Sequence, residues 1–298
     1  MILAFIWGWS FLFIKVAVQG MTPAAVAWAR VTLGAGVMLA VLRARGTRLP
    51  PRSDRAQWRH FVVLAITYNA VPFTLLAWAE QHISSALAAV LNASTPLFAA
   101  VLTAILLGER LRGVQLAGLL LGFVGVAVVA GVGGGDVTGS SLWGELAVVG
   151  VSACYGFGFT YAQRHLAGIA PVVTAGGQLL AATVILLPVA AATTLARGFE
   201  LTPTRALSIL LLGVGGTGVA YVINYRSIAE LGSTKASVVT YLVPVVAVTV
   251  GVVFLHEAFK AGLVVGGALT ILGIAMVHGR RLPARGGVAL SNVQRPKL

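Results

Sequence analysis

The chain has 298 residues, of which 58% are hydrophobic and 10% are charged, and its mean hydropathy is +0.93. Soluble domains average about 45–50% apolar and about 25% charged residues, so this composition excludes a soluble globular enzyme and also a disordered chain. The formal charge of +13 comes from basic residues that lie between apolar runs. That distribution indicates membrane topology rather than nucleic-acid binding.

Apolar runs separated by glycine, proline and charged residues predict ten membrane-spanning helices, since each needs about 20 apolar residues. The short connections favour antiparallel neighbours in one bundle. A glycine-rich linker lies halfway along the chain, so we predict a first repeat over 1–131, a linker over 132–141, a second repeat over 142–279 and a basic cytoplasmic tail over 280–298. The predicted spans are 2–19, 23–43, 58–79, 84–107, 113–131, 142–163, 171–194, 205–228, 234–254 and 261–279.

The basic residues also predict the orientation of the chain in the membrane. If the amino terminus is cytoplasmic, sixteen Lys and Arg lie on the inner side, and only Arg197, Arg205 and Lys260 lie on the outer side. Cytoplasmic loops carry an excess of Lys and Arg. We therefore expect both termini in the cytoplasm and the chain in the plasma (inner) membrane.

A shift of 148 residues superposes the two halves of the sequence. It pairs Gly8 with Gly156, Phe11 with Phe159, Pro96 with Pro244, Glu109 with Glu257 and Gly125 with Gly273. Five helices in each half bring the second copy into the membrane from the opposite side. The predicted fold is therefore an all-α integral membrane protein with ten transmembrane helices in two inverted five-helix repeats (5+5). Inverted repeats around a central site are typical of transporters that work by alternating access, so transport is the predicted function.

Several short motifs carry a resemblance to a known family. Trp7-Gly8-Trp9-Ser10-Phe11, followed by Lys15 and Arg30, and Leu107-Gly108-Glu109-Arg110-Leu111 before a glycine-rich helix, resemble the EamA domain of the drug/metabolite transporter superfamily. The resemblance covers nearly the whole chain as two copies, although Gln163 and Gln178 stand where Lys15 and Arg30 would be repeated. It implies an exporter or exchanger of amino acids, drugs, purines or sugar derivatives. The aromatic residues near the expected cavity favour an amino-acid exporter of the YddG type, with a nucleobase or sugar-derivative transporter as the alternative.

Twelve residues are predicted to bind the substrate. A central Arg disfavours membrane insertion by about 2.5–3.5 kcal/mol, so Arg30 is expected to face the interior and attract a carboxylate or phosphate. Its alternative role is to cap a neighbouring helix. The others are aromatic and amide residues that offer stacking surfaces and hydrogen bonds, or alternatively belong to the core. The set is Trp7, Phe11, Arg30, Tyr68, Asn69, Trp78, Asn92, Tyr155, Phe159, Tyr221, Asn224 and Tyr225.

A second group is predicted to serve gating or coupling. Pro96 and Pro244 interrupt corresponding helices, and each frees a backbone carbonyl one turn earlier. Glu109 and Glu257 end corresponding helices, where a carboxylate opposes the helix dipole and a gating or packing ion pair is expected. His82 has an unperturbed pKa near physiological pH and lies beside Glu80. The set is Lys15, Glu80, His82, Pro96, Glu109, Pro244 and Glu257, with outward snorkelling as the alternative for Lys15.

Competing functions and further partners are judged from the same residues. No HExxH motif, phosphate loop or aspartate-rich site occurs, so an intramembrane enzyme is not expected, and neither is a cofactor or a metal. The expected partners are a small-molecule substrate and the lipid bilayer. Gly118-x-x-x-Gly122 and Gly262-x-x-x-Gly266 permit close helix contacts, either within the chain or across a homodimer.

Overall fold

The computed structural model describes residues 2–130, 141–231, 239–257 and 261–278. Within these ranges the chain is helical and contains no strand. The helix α8, over 203–231, combines Pro203–Leu210, Leu211–Val219 and Ala220–Leu231. The others are α1 (Ile2–Ala17), α2 (Pro23–Ala44), α3 (Arg55–Ala79), α4 (Ser85–Leu107), α5 (Gly113–Val129), α6 (Leu142–His165), α7 (Pro171–Arg197), α9 (Val239–Leu255) and α10 (Ala261–His278).

The lengths and surfaces of these helices suit a lipid bilayer. In the described ranges, six helices (α2, α3, α4, α6, α7 and α8) are long and apolar enough to cross a membrane, and α1, α5, α9 and α10 are shorter apolar helices. Large apolar side chains lie on the outside of the bundle, among them Ile105, Val184 and Leu195, which are 70%, 71% and 87% exposed. Such surfaces are compatible with hydrocarbon and unfavourable in water. The chain is an integral membrane protein.

Helix starts follow ordinary capping chemistry. Thr22 precedes Pro23, and its hydroxyl accepts the amide proton of Ala25 at 3.3 Å. Asp54 caps α3 and Ser84 caps α4 in the same way. These side chains satisfy amides that the first turn of a helix leaves without a partner. The breaks between helices are therefore encoded locally by short polar residues and proline.

Two π-helical segments interrupt α3 and α8 at Ala65–Ala70 and Leu211–Val219. They occupy corresponding positions, because residues 65–70 map onto 213–218 under the shift of 148 residues. The second segment contains four glycines, a residue that disfavours a continuous α-helix. The first contains none, so local composition offered no signal for it. π-helical turns widen the backbone and are frequent at functional sites.

Helices α5 and α10 pack closely through their glycines. A Cβ atom at Gly125 would lie 2.6 Å from the carbonyl oxygen of Gly266, and one at Gly273 would lie 2.5 Å from that of Gly118. Neither clash can be relieved by rotating a side chain, because both neighbours are backbone atoms. The glycine motifs thus support a contact within one chain, which was one of the two predicted roles.

Several of the other helix contacts occur in matched pairs. Helix α1 packs on α9 as α4 packs on α6, and α2 packs on α8 as α7 packs on α3. Single residues follow the same rule: Gly8 lies against Val246, and its counterpart Gly156 lies against Phe98, the counterpart of Val246. Helices α2 and α7 meet each other directly. Each half therefore contributes equivalent surfaces to the interior of the bundle.

Candidate functional site

Arg30 of α2 lies in the interior and contacts two further helices. It is only 7% exposed, and its Nε donates a hydrogen bond to Thr217 Oγ1 in the π-helical segment of α8 at 2.8 Å. Its Cζ lies 3.8 Å from the ring centroid of Phe73 in α3, which is a cation–π geometry. Among the described residues, no carboxylate oxygen lies within 4.0 Å of the guanidinium. The charge is positioned by neutral groups rather than neutralised by an acid.

Two buried polar side chains in the interior of the bundle are incompletely hydrogen-bonded. Asn69 is fully buried, and its Nδ2 donates to Tyr221 Oη at 3.2 Å. Its Oδ1 and the Nε2 of the buried Gln178 have no hydrogen-bond partner among the described residues. Buried polar groups in folded proteins are almost always paired, so unpaired ones require an explanation. A polar solute that enters this region would offer them partners.

Aromatic rings line the same region from both halves. Tyr155 of α6 lies 5.2 Å, centroid to centroid, from Tyr68, which in turn lies 5.3 Å from Phe159. Trp7 of α1 donates its indole N–H to the carbonyl oxygen of Gly216 at 3.2 Å. The backbone carbonyl that Trp7 reaches belongs to the π-helical segment of α8. These rings offer flat apolar surface beside one cation.

The site draws equivalent positions from the two halves but fills them with different chemistry. Under the shift of 148 residues, Trp7 corresponds to Tyr155, Asn69 to Thr217, Phe73 to Tyr221 and Arg30 to Gln178. The scaffold is therefore nearly symmetric, whereas the charge is present on one side only. An asymmetric ligand with one anionic end would match this distribution.

A second group of polar residues joins the end of α1 to the start of α4. Lys15 Nζ donates to the carbonyl oxygens of Glu80 and Ile83. Glu80 is fully buried, and its Oε2 accepts a hydrogen bond from Ser85 Oγ at 3.0 Å. The carboxylate of Glu257 accepts the amide protons of Ser85 and Ala86 at 2.7 and 2.9 Å. We name Lys15, Glu80, Ser85 and Glu257 the Glu80 cluster.

The carboxylate of Glu257 caps a helix. A gating or packing ion pair is expected at this residue, and the cation Lys260 lies outside the described residues. The structure places the carboxylate on the first amides of α4, where the positive end of the helix dipole stabilises an anion. The chain turns back at His256, which has a positive φ of 53°, and this turn directs Glu257 towards α4.

Other predicted residues lie at helix ends, at helix breaks or in the apolar core. Trp78 packs against His82 at the end of α3, with ring centroids 4.3 Å apart and the ring planes tilted by 38°. Phe11 is buried in the apolar core, and Asn92 lies at the break in α4, where its carbonyl oxygen accepts from Thr95 Oγ1 at 2.8 Å. Glu109 is exposed just after the end of α4, and Pro96 and Pro244 lie within α4 and α9. Asn224 is half-buried in α8, and the side chain of Tyr225 lies outside the described residues.

Sequence reasoning missed some of the contacts. Phe73 was not singled out, because a lone phenylalanine in an apolar run carries no sequence signal. Another missed feature lies near the start of α3, at the end of this helix opposite to Trp78. There His60 Nδ1 and Tyr161 Oη are 2.7 Å apart, and the His60 ring stacks on the ring of His165. The three residues come from α3 and α6, so only the packing of these helices brings them together.

Comparisons with known proteins agree with this architecture. The sequence profile of the EamA-like transporter family matches residues 1–131 and 142–279. The chain belongs to the EamA-like transporter family. Its membership confirms the resemblance read from the motifs of both halves.

Relatives of this EamA chain are named as transporters. It is 30% identical over 280 residues to a probable terminal-alkyne amino-acid exporter of Streptantibioticus cattleyicolor, covering 94% of this chain and 92% of that protein. It is 27% identical to the uncharacterised inner membrane transporter YedA of Escherichia coli, over 83% and 78% of the two chains. A solved crystal structure, 24% identical, superposes with a TM-score of 0.61 over 92% of this chain and 93% of that one, which supports the fold. The protein is a membrane transporter rather than an enzyme.

Proposed function

We propose that this EamA protein is a secondary transporter that exports or exchanges small metabolites, with aromatic and hydrophobic amino acids or amphipathic drugs as its substrates. The observation that carries the proposal is the buried guanidinium of Arg30, held by Thr217 and Phe73 and without an acidic partner among the described residues. A buried charge is costly unless it is paired. A substrate carboxylate supplies the missing partner.

The aromatic residues near Arg30 suit the rest of such a substrate. Tyr68, Tyr155 and Trp7 provide stacking surface, while Asn69 Oδ1 offers a free acceptor for an ammonium group. An α-amino acid with an aromatic side chain has all three complementary parts. The name of the S. cattleyicolor relative, an amino-acid exporter, supports the same substrate class.

Alternating access is the mechanism that we propose for transport. Its support is the matched packing of the two halves, in which α1 on α9 repeats α4 on α6, together with paired π-helical segments in α3 and α8. Two equivalent halves can exchange conformations and thereby open a central site to either side. We propose ten spans in two inverted five-helix units with both termini in the cytoplasm. A homodimer through α5 and α10 would use faces other than the glycines that already meet within the chain.

The test measures transport of a carboxylate and its decarboxylated analogue. Purified protein in proteoliposomes is loaded with unlabelled L-phenylalanine, and counterflow of radiolabelled L-phenylalanine or phenethylamine is recorded. The wild type should carry phenylalanine and not phenethylamine. Hydrogen bonds to a charged group contribute about 1.5–3 kcal/mol, so Arg30→Gln should weaken phenylalanine transport about 10- to 150-fold.

A matched control separates this effect from loss of positive charge in general. Arg197 is exposed at the end of α7, and Arg197→Gln should leave transport unchanged. Wild-type counterflow in Arg30→Gln would remove the guanidinium from the substrate site. Equal transport of phenethylamine and phenylalanine by the wild type would refute carboxylate recognition.

A further inference from the structure

The two carboxyl groups of the Glu80 cluster have contrasting surroundings. Glu257 accepts two backbone amide protons at the start of α4, an arrangement that stabilises the ionised form. Glu80 accepts one hydroxyl contact and is 0% exposed, and its Oε1 has no hydrogen-bond partner among the described residues. Where two nearby carboxyl groups have environments this different, one stays charged and the other holds a proton.

Hydrogen-bond accounting around Ser85 leads to the same assignment. Its single hydroxyl proton has two acceptors within reach, Glu80 Oε2 at 3.0 Å and the carbonyl oxygen of Phe11 at 3.5 Å. One proton cannot serve both acceptors at once. If Glu80 Oε2 carries a proton, the carboxylic acid donates to Ser85 Oγ and the serine hydroxyl donates to the carbonyl oxygen of Phe11, so both hydrogen bonds form. The unpaired Oε1 then belongs to a neutral carboxyl group, which is far less costly to bury than a carboxylate.

Two cations lie on the neighbouring elements, and neither forms an ion pair with the Glu80 carboxyl group. Lys15 of α1 donates hydrogen bonds from its Nζ to the backbone carbonyl oxygens of Glu80 and Ile83. The same Nζ is not within 4.0 Å of the Glu80 carboxyl oxygens. Arg30 of α2 is engaged with Thr217 and Phe73.

The other titratable groups around Glu80 are a histidine and two acids. The His82 ring packs against that of Trp78, and its Nδ1 lies 2.8 Å from the carbonyl oxygen of Trp78. Glu145 follows Gly144, which packs against His82 and Ile83, and Glu257 adds a further negative charge. The negative charge of Glu257 disfavours a second anion at Glu80.

We propose that Glu80 is the proton-binding site of this transporter and that the protein exchanges one proton for each substrate molecule exported. The proton binds Glu80 from the outer solution after the substrate has left. The neutral side chain is then buried against Ser85 as the outer end closes, and the proton is released to the inner solution when the central site opens inward. This inference rests on the proposed export function and adds the coupling ion to it.

The first experiment detects the proton without any substrate. Infrared spectra of the protein in lipid nanodiscs at pH 7 should contain a protonated-carboxyl C=O band that shifts in D₂O. Glu80→Gln should remove this band, whereas Glu257→Gln should leave it in place. If Glu80→Gln does not fold, Glu80→Asp serves instead and should change the frequency of the band. A band that is absent from the wild type, or unaltered by changes at Glu80, would overturn the proposal.

The second experiment measures coupling in proteoliposomes with radiolabelled L-phenylalanine. Wild-type vesicles should accumulate phenylalanine when a proton gradient is imposed in the exchanging direction. Glu80→Gln should keep exchange at equal phenylalanine concentrations and lose at least tenfold of the gradient-driven accumulation. Full accumulation in Glu80→Gln would refute coupling through this residue. A wild type that carries no phenylalanine would refute the proposed substrate, and the infrared result would still decide whether Glu80 holds a proton.

Discussion

The contact between α5 and α10 permits a stability prediction whose magnitude follows from the structure. In Gly125→Ala, the new methyl group would lie 2.6 Å from the carbonyl oxygen of Gly266, a backbone atom of α10. Overpacking of this kind costs about 1–3 kcal/mol. Against this, replacing glycine by alanine within a helix contributes about 1 kcal/mol of favourable helix propensity.

Gly150 of α6 provides the matched control. It also lies within a helix, and a Cβ atom at this position would have no heavy atom within 4 Å. Gly150→Ala therefore gains the same helix propensity without a clash. The difference between the two variants isolates the cost of separating α5 from α10, which we expect to be about 1–3 kcal/mol.

The assay is thermal unfolding of both variants in one detergent at one heating rate, because irreversible unfolding makes the midpoint depend on the rate. A change of 1 kcal/mol shifts the midpoint by about 2–4 °C in proteins of this size range, so Gly125→Ala should unfold about 2–12 °C below Gly150→Ala. Gly273→Ala, on the facing helix, should behave like Gly125→Ala. A midpoint for Gly125→Ala at or above that of Gly150→Ala would show that the glycine contact is not close-packed.

Three further variants probe the functional regions. Thr217→Val leaves the Nε–H of Arg30 without its acceptor, so it should lower stability by about 1.5–3 kcal/mol in thermal unfolding, more than the exposed control Thr249→Val; equal midpoints would contradict this. Glu257→Gln removes the charge that caps α4, and a loss of about 0.5–2 kcal/mol should speed hydrogen exchange of the first α4 amides about 2- to 30-fold; unchanged exchange would reject the cap. Asn224→Leu should reduce phenylalanine flux at normal expression, and wild-type flux would remove this position from the pathway.

Much of the site was predictable because the bilayer makes polar residues conspicuous. Arg30, Asn69 and Tyr221 stand out in apolar runs; in the structure Asn69 donates a hydrogen bond to Tyr221, and Arg30 contacts Phe73. Trp78 stood out equally and yet lies at the end of α3 with His82. Residue type alone does not give the depth of a side chain along its helix or the face that it occupies, so the two cases look alike in the sequence.

Contacts between segments that are far apart in the chain could not be predicted from the sequence. Glu257 and Ser85 are 172 residues apart, and nothing in the local pattern of either indicates that one caps the helix of the other. Phe73 gains its role only because a π-helical turn precedes it and α2 packs alongside. Interactions of this kind depend on helix packing, which many sequences with the same apolar pattern could arrange differently.

The sequence by itself determined that this chain is a membrane protein, that its two halves are similar in sequence and that it is a transporter. These properties follow from the composition, the spacing of the apolar runs and the residues that repeat after 148 positions. They can be read without knowing which residues are in contact. Only the tertiary structure decided which polar atoms meet, that Arg30 rests on neutral partners and that Glu80 is buried while Glu257 caps a helix. The physical reason is that hydropathy selects the solvent of each segment, whereas the chemistry of a buried group depends on neighbours that packing supplies.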